Sequence, residues 1–272
     1  MTTATLTRGA TRAEGGYGFR SAATMEWLKL RSVRSTAWVL LVFAVGMIGL
    51  AILILSHARW AAMPAAQRAS FDPTEESFAG LAIGQLAFGV LGALVITTEF
   101  SSGMIRATLA AVPRRPLLLA AKAAVLAAVT LVAGELLAFG AFAAGELVLR
   151  SPAPHATLAQ PGVLRAVLMA GAYPALIALI ALGLGAVVRH TAGAISAVVG
   201  ILFVLPLILV PLGTSIQNSV GQFMPMLIAE NSLTAVKPVA HSLSPGVGFA
   251  LLCLYAVAAL AAGGWLLTRR DA

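Results

Sequence analysis

Apolar residues run along this chain in long, nearly charge-free blocks separated by short polar stretches. Six blocks are long enough to cross a hydrocarbon core, which takes about 20 residues of helix. They run from Ala37 to Ser56, Ala79 to Thr97, Leu117 to Leu149, Leu164 to Val188, Ala192 to Leu212 and Val247 to Thr268. The third is long enough to tilt or protrude, and the short hinge Arg189-His190-Thr191 separates the fourth from the fifth. Inside a bilayer only helices and closed barrels satisfy their own backbone, and unbroken apolar runs lack the alternation of a barrel strand. The pattern therefore predicts an all-α polytopic membrane protein with six transmembrane helices. The stretch from Thr214 to Gly246 behaves differently. Val220, Phe223, Met224, Leu227 and Ile228 follow helical spacing, but Pro225, Glu230, Asn231, Lys237 and Pro238 break it before a full span is reached. Two part-inserted extracellular helices between spans five and six are expected there, because irregular backbone is tolerated at membrane depth where protein surrounds it.

Composition excludes the water-soluble alternative. Of 272 residues, 60% are hydrophobic and 10% charged, against about 25% charged in a typical soluble domain. Residues 1–18 are polar and Gly-rich and read as a disordered cytoplasmic tail rather than a signal peptide or span. Residues 19–35 read as an interfacial amphipathic helix, and 36–272 as the six-helix transmembrane domain. Charge orients the bundle. With the N-terminus in the cytoplasm, 13 of the 18 basic residues fall on the inner side, the bias expected of cytoplasmic loops. Both termini are then cytoplasmic, and a seventh span would put Arg269 and Arg270 outside. The net charge of +8 is mainly topological, with some attraction to anionic lipid. Its dispersal among loops does not form a nucleic-acid face.

Sites for chemistry are sparse. There is no phosphate-binding G-x-x-x-x-G-K loop, no H-E-x-x-H zinc helix and no G-x-S-x-G elbow, so neither enzymatic activity nor a metal site is expected. His57, His155, His190 and His241 stand near span edges and read as interfacial polar residues. Cys253, within the last span, reads as a small apolar packing residue. Glu135 lies near the middle of the third span, where a carboxyl is costly and marks either a path or gate role or a hydrogen bond to a neighbouring helix. Phe139, Phe142 and Glu146 share its helical face, with Glu146 near the outer edge. In the second span Gly80 and Gly84 form a small-xxx-small pair that allows close helix approach. Ahead of the first span, Phe19, Ala23, Trp27 and Leu30 recur at helical spacing and form a stripe suited to the inner interface, interrupted by Glu26. Between spans two and three, Glu99 at the membrane exit precedes small residues and a short helix in which Met104, Ile105, Thr108 and Leu109 give an apolar side.

Trp27-Leu28-Lys29-Leu30-Arg31-Ser32, together with the run from Glu99 to Leu109, resembles the membrane subunits of type-2 ABC exporters, especially actinobacterial ones. The layout is similar from about Phe19 onward. The resemblance implies that two six-helix subunits pair, as a homo- or heterodimer, and that a separate cytoplasmic ATPase subunit binds beneath each. ATP and Mg would then belong to the partner, with no cofactor in this chain. It further implies an ATPase-coupling surface of Glu99, Phe100, Met104, Ile105, Arg106 and Leu109, supported by Trp27 and Leu30. Spans two and five would face the substrate path, bringing Phe88, Leu91, Phe203 and Leu207 towards it beside Glu135 and Phe139. The implied protein is a multi-pass plasma-membrane permease exporting a hydrophobic or amphipathic drug, antibiotic or lipid-like cargo. Two other classes stay open: a proton-coupled secondary transporter using Glu135, although its usual internal repeat is missing, and a non-transporting membrane scaffold.

Overall fold

A computed structural model describes residues 18–235 and 242–269. The expected tail, apart from Gly18, lies outside the described residues, as do Lys237, Pro238, His241 and Arg270. Six helices are long and apolar enough to cross a membrane: Arg34–His57, Leu81–Ser101, Arg115–Val148, Val163–Val188, Thr191–Leu212 and Pro245–Arg269. They match the six apolar blocks to within a few residues at each end, and are called spans 1 to 6 below. A helix over Phe19–Ser32, called the interfacial helix below after the sequence expectation, precedes span 1, and a short helix, Met104–Ala111, joins spans 2 and 3.

Spans 2 and 4 form the centre. In their apolar stretches 56% and 61% of residues are buried, against 17–22% in spans 1, 5 and 6. Among lipid tails, helices gain little by hiding apolar surface from one another, so close approach through small residues has to supply the contact. The sequence provides it at each central crossing. A Cβ on Gly92 would run into the Ala178 backbone, fixing span 2 against span 4, and a Cβ on Gly134 would meet the Gly171 carbonyl, fixing span 3 against span 4. Gly80 and Gly84 approach span 1 in the same manner, at the Gly46 carbonyl and the Phe43 ring. That ring meets Phe88 edge-on, with centroids 4.6 Å apart.

The two ends of the bundle differ. At the end where the interfacial helix, the short helix and the finish of span 6 meet, basic residues predominate, and this is called the basic end. The interfacial helix buries Ala22, Glu26 and Leu30, while Phe19 and Trp27 of the expected stripe stay 44% and 47% exposed. Glu26, read in sequence as an interruption, is in fact central to the inward face. Ala22, Ile105, Val112, Leu118 and Ala121 form a small apolar core of their own, which joins the interfacial helix, the short helix and the start of span 3 into one platform. Arg115 and Arg189 donate to the last carbonyls of span 6, at Leu267 (2.6 Å) and Leu266 (3.2 Å).

At the opposite end the region between spans 5 and 6 forms two short helices, Thr214–Gly221 and Pro225–Leu233. The second buries Ile228, Ala229 and Leu233. Asp72 secures this end by capping the turn Pro73–Glu76 through Thr74 N and accepting from Ala235 N at 2.6 Å. Cys253 is exposed on span 6, which corrects its reading as a packing residue. Span 6 is peripheral, and an outward-facing thiol needs no polar partner there.

Gly92→Val inserts a branched side chain where the Ala178 backbone lies. Overpacking a close-packed site costs about 1–3 kcal/mol, and here the clash is with backbone. The variant is expected to lose its monodisperse elution and several degrees of thermal stability in detergent. The exposed Gly49→Val should behave as wild type.

Candidate functional site: a buried charge cluster beneath the basic end

Four charged side chains from three helices meet under span 2. Glu26 and Lys29 come from the interfacial helix, Glu99 from the last turn of span 2, and Lys122 from span 3. Lys122 is 1% exposed and bridges Glu26 Oε2 at 2.8 Å and Glu99 Oε1 at 2.6 Å. Lys29 bridges the other Glu26 oxygen at 3.1 Å and the same Glu99 Oε1 at 2.7 Å. It also reaches the Thr108 hydroxyl of the short helix at 3.4 Å, so one ammonium ties the interfacial helix, span 2 and the short helix together. Two positive and two negative groups balance, the condition under which charges are tolerated away from water. Burial works against the Lys29 charge, but the hydrogen bond to Glu99 and the attraction of both carboxylates more than offset this. The Lys29 pKa is therefore raised above its ordinary value of 10.5, and the ammonium persists throughout the neutral range.

The short helix hangs from this cluster. Gly103 starts it from a left-handed backbone conformation, φ +72°, which glycine adopts without steric cost. Ile105 and Thr108 turn inward and are buried. Met104 is 45% exposed and Arg106 and Ala107 are also exposed. Phe100 lies under the Arg189 guanidinium, 5.1 Å from its ring centroid. Arg189 takes φ +60° in the hinge between spans 4 and 5, so the same platform touches that hinge.

The residues expected to form one coupling surface thus fall into two groups. Met104, Arg106 and Trp27 are presented outward, with Leu109 partly buried. Glu99, Ile105 and Leu30 are buried and act as anchors, and Phe100 is partly covered. The charge cluster itself was not anticipated. Its signal was present as a Lys three residues from a Glu in the interfacial helix, a Glu ending span 2 and a Lys inside span 3, but nothing in one sequence pairs them.

The expected path residues are more scattered. Phe88 is fully buried and Leu91 is 2% exposed, both within this chain's own packing. Phe203 is partly buried, while Leu207 is 69% exposed on the surface of span 5. Glu135 lies against Gly171 of span 4, with Phe139 partly buried one turn on. The Glu135 Oε2 is enclosed and meets no hydrogen-bond partner among the described residues. Glu146, near the opposite end, pairs with His155 at 3.0 Å.

The profile of the family described as "ABC-2 family transporter protein" matches residues 23–209, which takes in most of the interfacial helix, the charge cluster, the short helix, spans 1 to 4 and nearly all of span 5. The chain belongs to the ABC-2 transporter family. No curated protein matches it closely enough to serve as a named relative. As an ABC-2 permease, it is a membrane subunit whose family implies association with an ATPase subunit.

At the opposite end of this permease Glu75, Glu76 and Glu230 line a cavity of about 200 Å³ together with Gln85 and Tyr173. Burial, then the nearby Asp72, Glu76 and Glu230 carboxylates, push the Glu75 pKa up to about 7. Here the folded state holds a proton more firmly than the unfolded chain. Stability is therefore greatest in acid and falls as pH rises from about 4.5 to about 7, after which it levels. Melting temperature measured from pH 4.5 to 8 is expected to follow that course, and Glu75→Gln should make it shallower, with Glu76 and Glu230, whose pKa values burial also raises, supplying the remainder.

Truncating Lys122 leaves two buried carboxylates short of a partner. Lys122→Met is expected to cost about 3–5 kcal/mol, the usual penalty for breaking a buried pair. Lys29→Met should cost less, because the Lys29 side chain is 28% exposed and Lys122 still bridges both acids. Chemical denaturation of both variants in the same detergent measures the difference.

Proposed function

We propose that this ABC-2 permease is the membrane half of an ATP-driven exporter, oriented with its basic end in the cytoplasm, that carries a hydrophobic or amphipathic cargo outward. The observation that carries the reading is the short helix Met104–Ala111. It is fixed from above by Thr108 and Ile105 and offers Met104 and Arg106 below. A loop that merely connects two spans has no need of such an anchor, whereas a helix that must transmit force cannot be loose. A partner ATPase seated against Met104, Arg106 and Trp27 would move this helix, and the cluster would pass that movement into the interfacial helix and spans 2 and 3 together. Phe100 and Arg189 extend the same contact to the hinge between spans 4 and 5.

The exposed surfaces of spans 1 and 5, including Leu41, Val45, Leu207 and Ile208, support pairing with a second membrane subunit. A path formed between two such subunits would be apolar along Leu207 and Phe203. Glu135 would be a polar group beside it, held at the crossing of spans 3 and 4. ATP and Mg belong to the partner ATPase in this reading.

Two measurements bear on it. Met104→Asp combined with Arg106→Glu reverses the chemistry of the exposed face and leaves Ile105, Thr108 and the cluster untouched. Co-purification of the ATPase subunit should fall at least tenfold, and unchanged recovery would sink the coupling role. For orientation, Cys253→Ala provides a thiol-free background. In intact cells a membrane-impermeant maleimide should label Gln67→Cys in the loop between spans 1 and 2 and spare Ala107→Cys. The reverse pattern would place the basic end outside.

A further inference from the structure

A cavity of about 310 Å³ opens beside the charge cluster, between the interfacial helix, the start of span 1 and the lower part of span 2. Leu30, Leu91 and Leu94 form its apolar wall, and Lys29 and Glu99 line its polar side. The two acids of the cluster are not used alike. Both oxygens of Glu26 are occupied, one by each lysine. Glu99 receives both lysines on Oε1, and its Oε2 is enclosed without any hydrogen-bond partner among the described residues. Glu99 is only 2% exposed. A buried carboxylate oxygen that accepts nothing is costly, so such an atom on a cavity-lining side chain marks a place for a donor from outside the chain.

The surroundings narrow the donor. The cluster already balances, two lysines against two glutamates, so a charged head would unbalance a poorly solvated site, whereas an uncharged O–H donor would not. The apolar wall requires hydrocarbon beside that head. The depth is that of the membrane surface, since the cavity lies between the interfacial helix and the first turns of span 1. Met104, flexible and 45% exposed, lines the cavity's lower side, where its unbranched side chain can move aside for a head group. We propose that this cavity binds a membrane lipid with an uncharged hydroxyl-bearing head, of the glyceride or glycolipid kind, whose O–H donates to Glu99 Oε2 as the carboxylate turns that oxygen to the cavity, while its chain lies along Leu91 and Leu94. In the exporter reading, on which only this last step rests, the site is where a lipid-like cargo from the inner leaflet is held next to the coupling helix.

The test uses the full-length permease in phosphatidylcholine nanodiscs and a monoacylglycerol carrying a diazirine on its chain, with adducts mapped by mass spectrometry. Labelling is expected to concentrate on peptides containing Leu30 and Leu91–Glu99, and excess monolauroylglycerol should compete at least tenfold better than methyl laurate, which has the chain but no O–H. Leu94→Trp fills the cavity without touching the cluster and should abolish this labelling while the protein melts as wild type. Glu99→Gln, whose amide retains an acceptor but brings its own N–H, should weaken competition if it folds. Adducts spread evenly over the lipid-facing spans, equal competition by methyl laurate, or stronger competition by dodecylamine would each overturn the proposal. Because binding is read without ATP or the ATPase, these failures are separable from a failure of the exporter reading, which the co-purification experiment addresses.

Discussion

Two lysines and two glutamates, closed into a ring beneath span 2, hold the basic end of this permease in one arrangement. Taking four charges from water is costly, and the ring returns that cost only when all four are in place with good geometry. The four members come from three helices, so the interfacial helix, the exit of span 2 and the start of span 3 cannot shift independently without leaving a charge uncompensated. Apolar packing alone does not supply this. The contacts among Ala22, Ile105, Val112, Leu118 and Ala121 are non-directional, whereas Lys122 cannot leave both of its carboxylates and stay buried.

Above the ring, the bundle relies on contact rather than on hydrophobicity. Spans 2, 3 and 4 approach where glycine faces backbone, at Gly92 with Ala178 and Gly134 with Gly171, because lipid offers no solvent pressure to drive them together. The result is a rigid centre carrying spans 1, 5 and 6 at its edge. Glu135 sits within that centre, its side chain against the glycine that makes the crossing possible. An acid there is constrained by the closeness of the helices as much as by its charge.

The helical class, the six spans and most of their limits were legible because hydrophobic length is a strong and local signal. The run from Glu99 to Leu109 was legible as an element, and Met104 and Arg106 are among its exposed residues. What one sequence could not supply was pairing at long separation. Glu26 looked like a flaw in an amphipathic stripe because its partner, Lys122, lies 96 positions away, and Lys122 looked like a topological charge. Ile105 and Glu99 were grouped with exposed neighbours since eight residues of helix do not reveal which side faces up. The turn from Asp72 to Glu76 carried a readable cap, Asp followed by Pro and acidic first-turn residues. Its tie to Ala235, across the opposite end, was again a matter of distance in the chain.

Span 3 has 34 residues and so extends about 51 Å at 1.5 Å per residue, longer than a whole bilayer with its head groups, about 40–45 Å. Its first two turns, from Arg115 to Lys122, are wrapped by the platform. In the exporter reading the excess of roughly 6–11 Å falls at this platform, a height comparable with the roughly 8 Å over which charge is felt in physiological salt. An ATPase seated on the face of Met104 and Arg106 would then bind inside the ionic atmosphere of the membrane. Its affinity is a property of the protein and the leaflet together, stronger or weaker with the lipid's charge and the salt, and a detergent micelle removes one of the two parties.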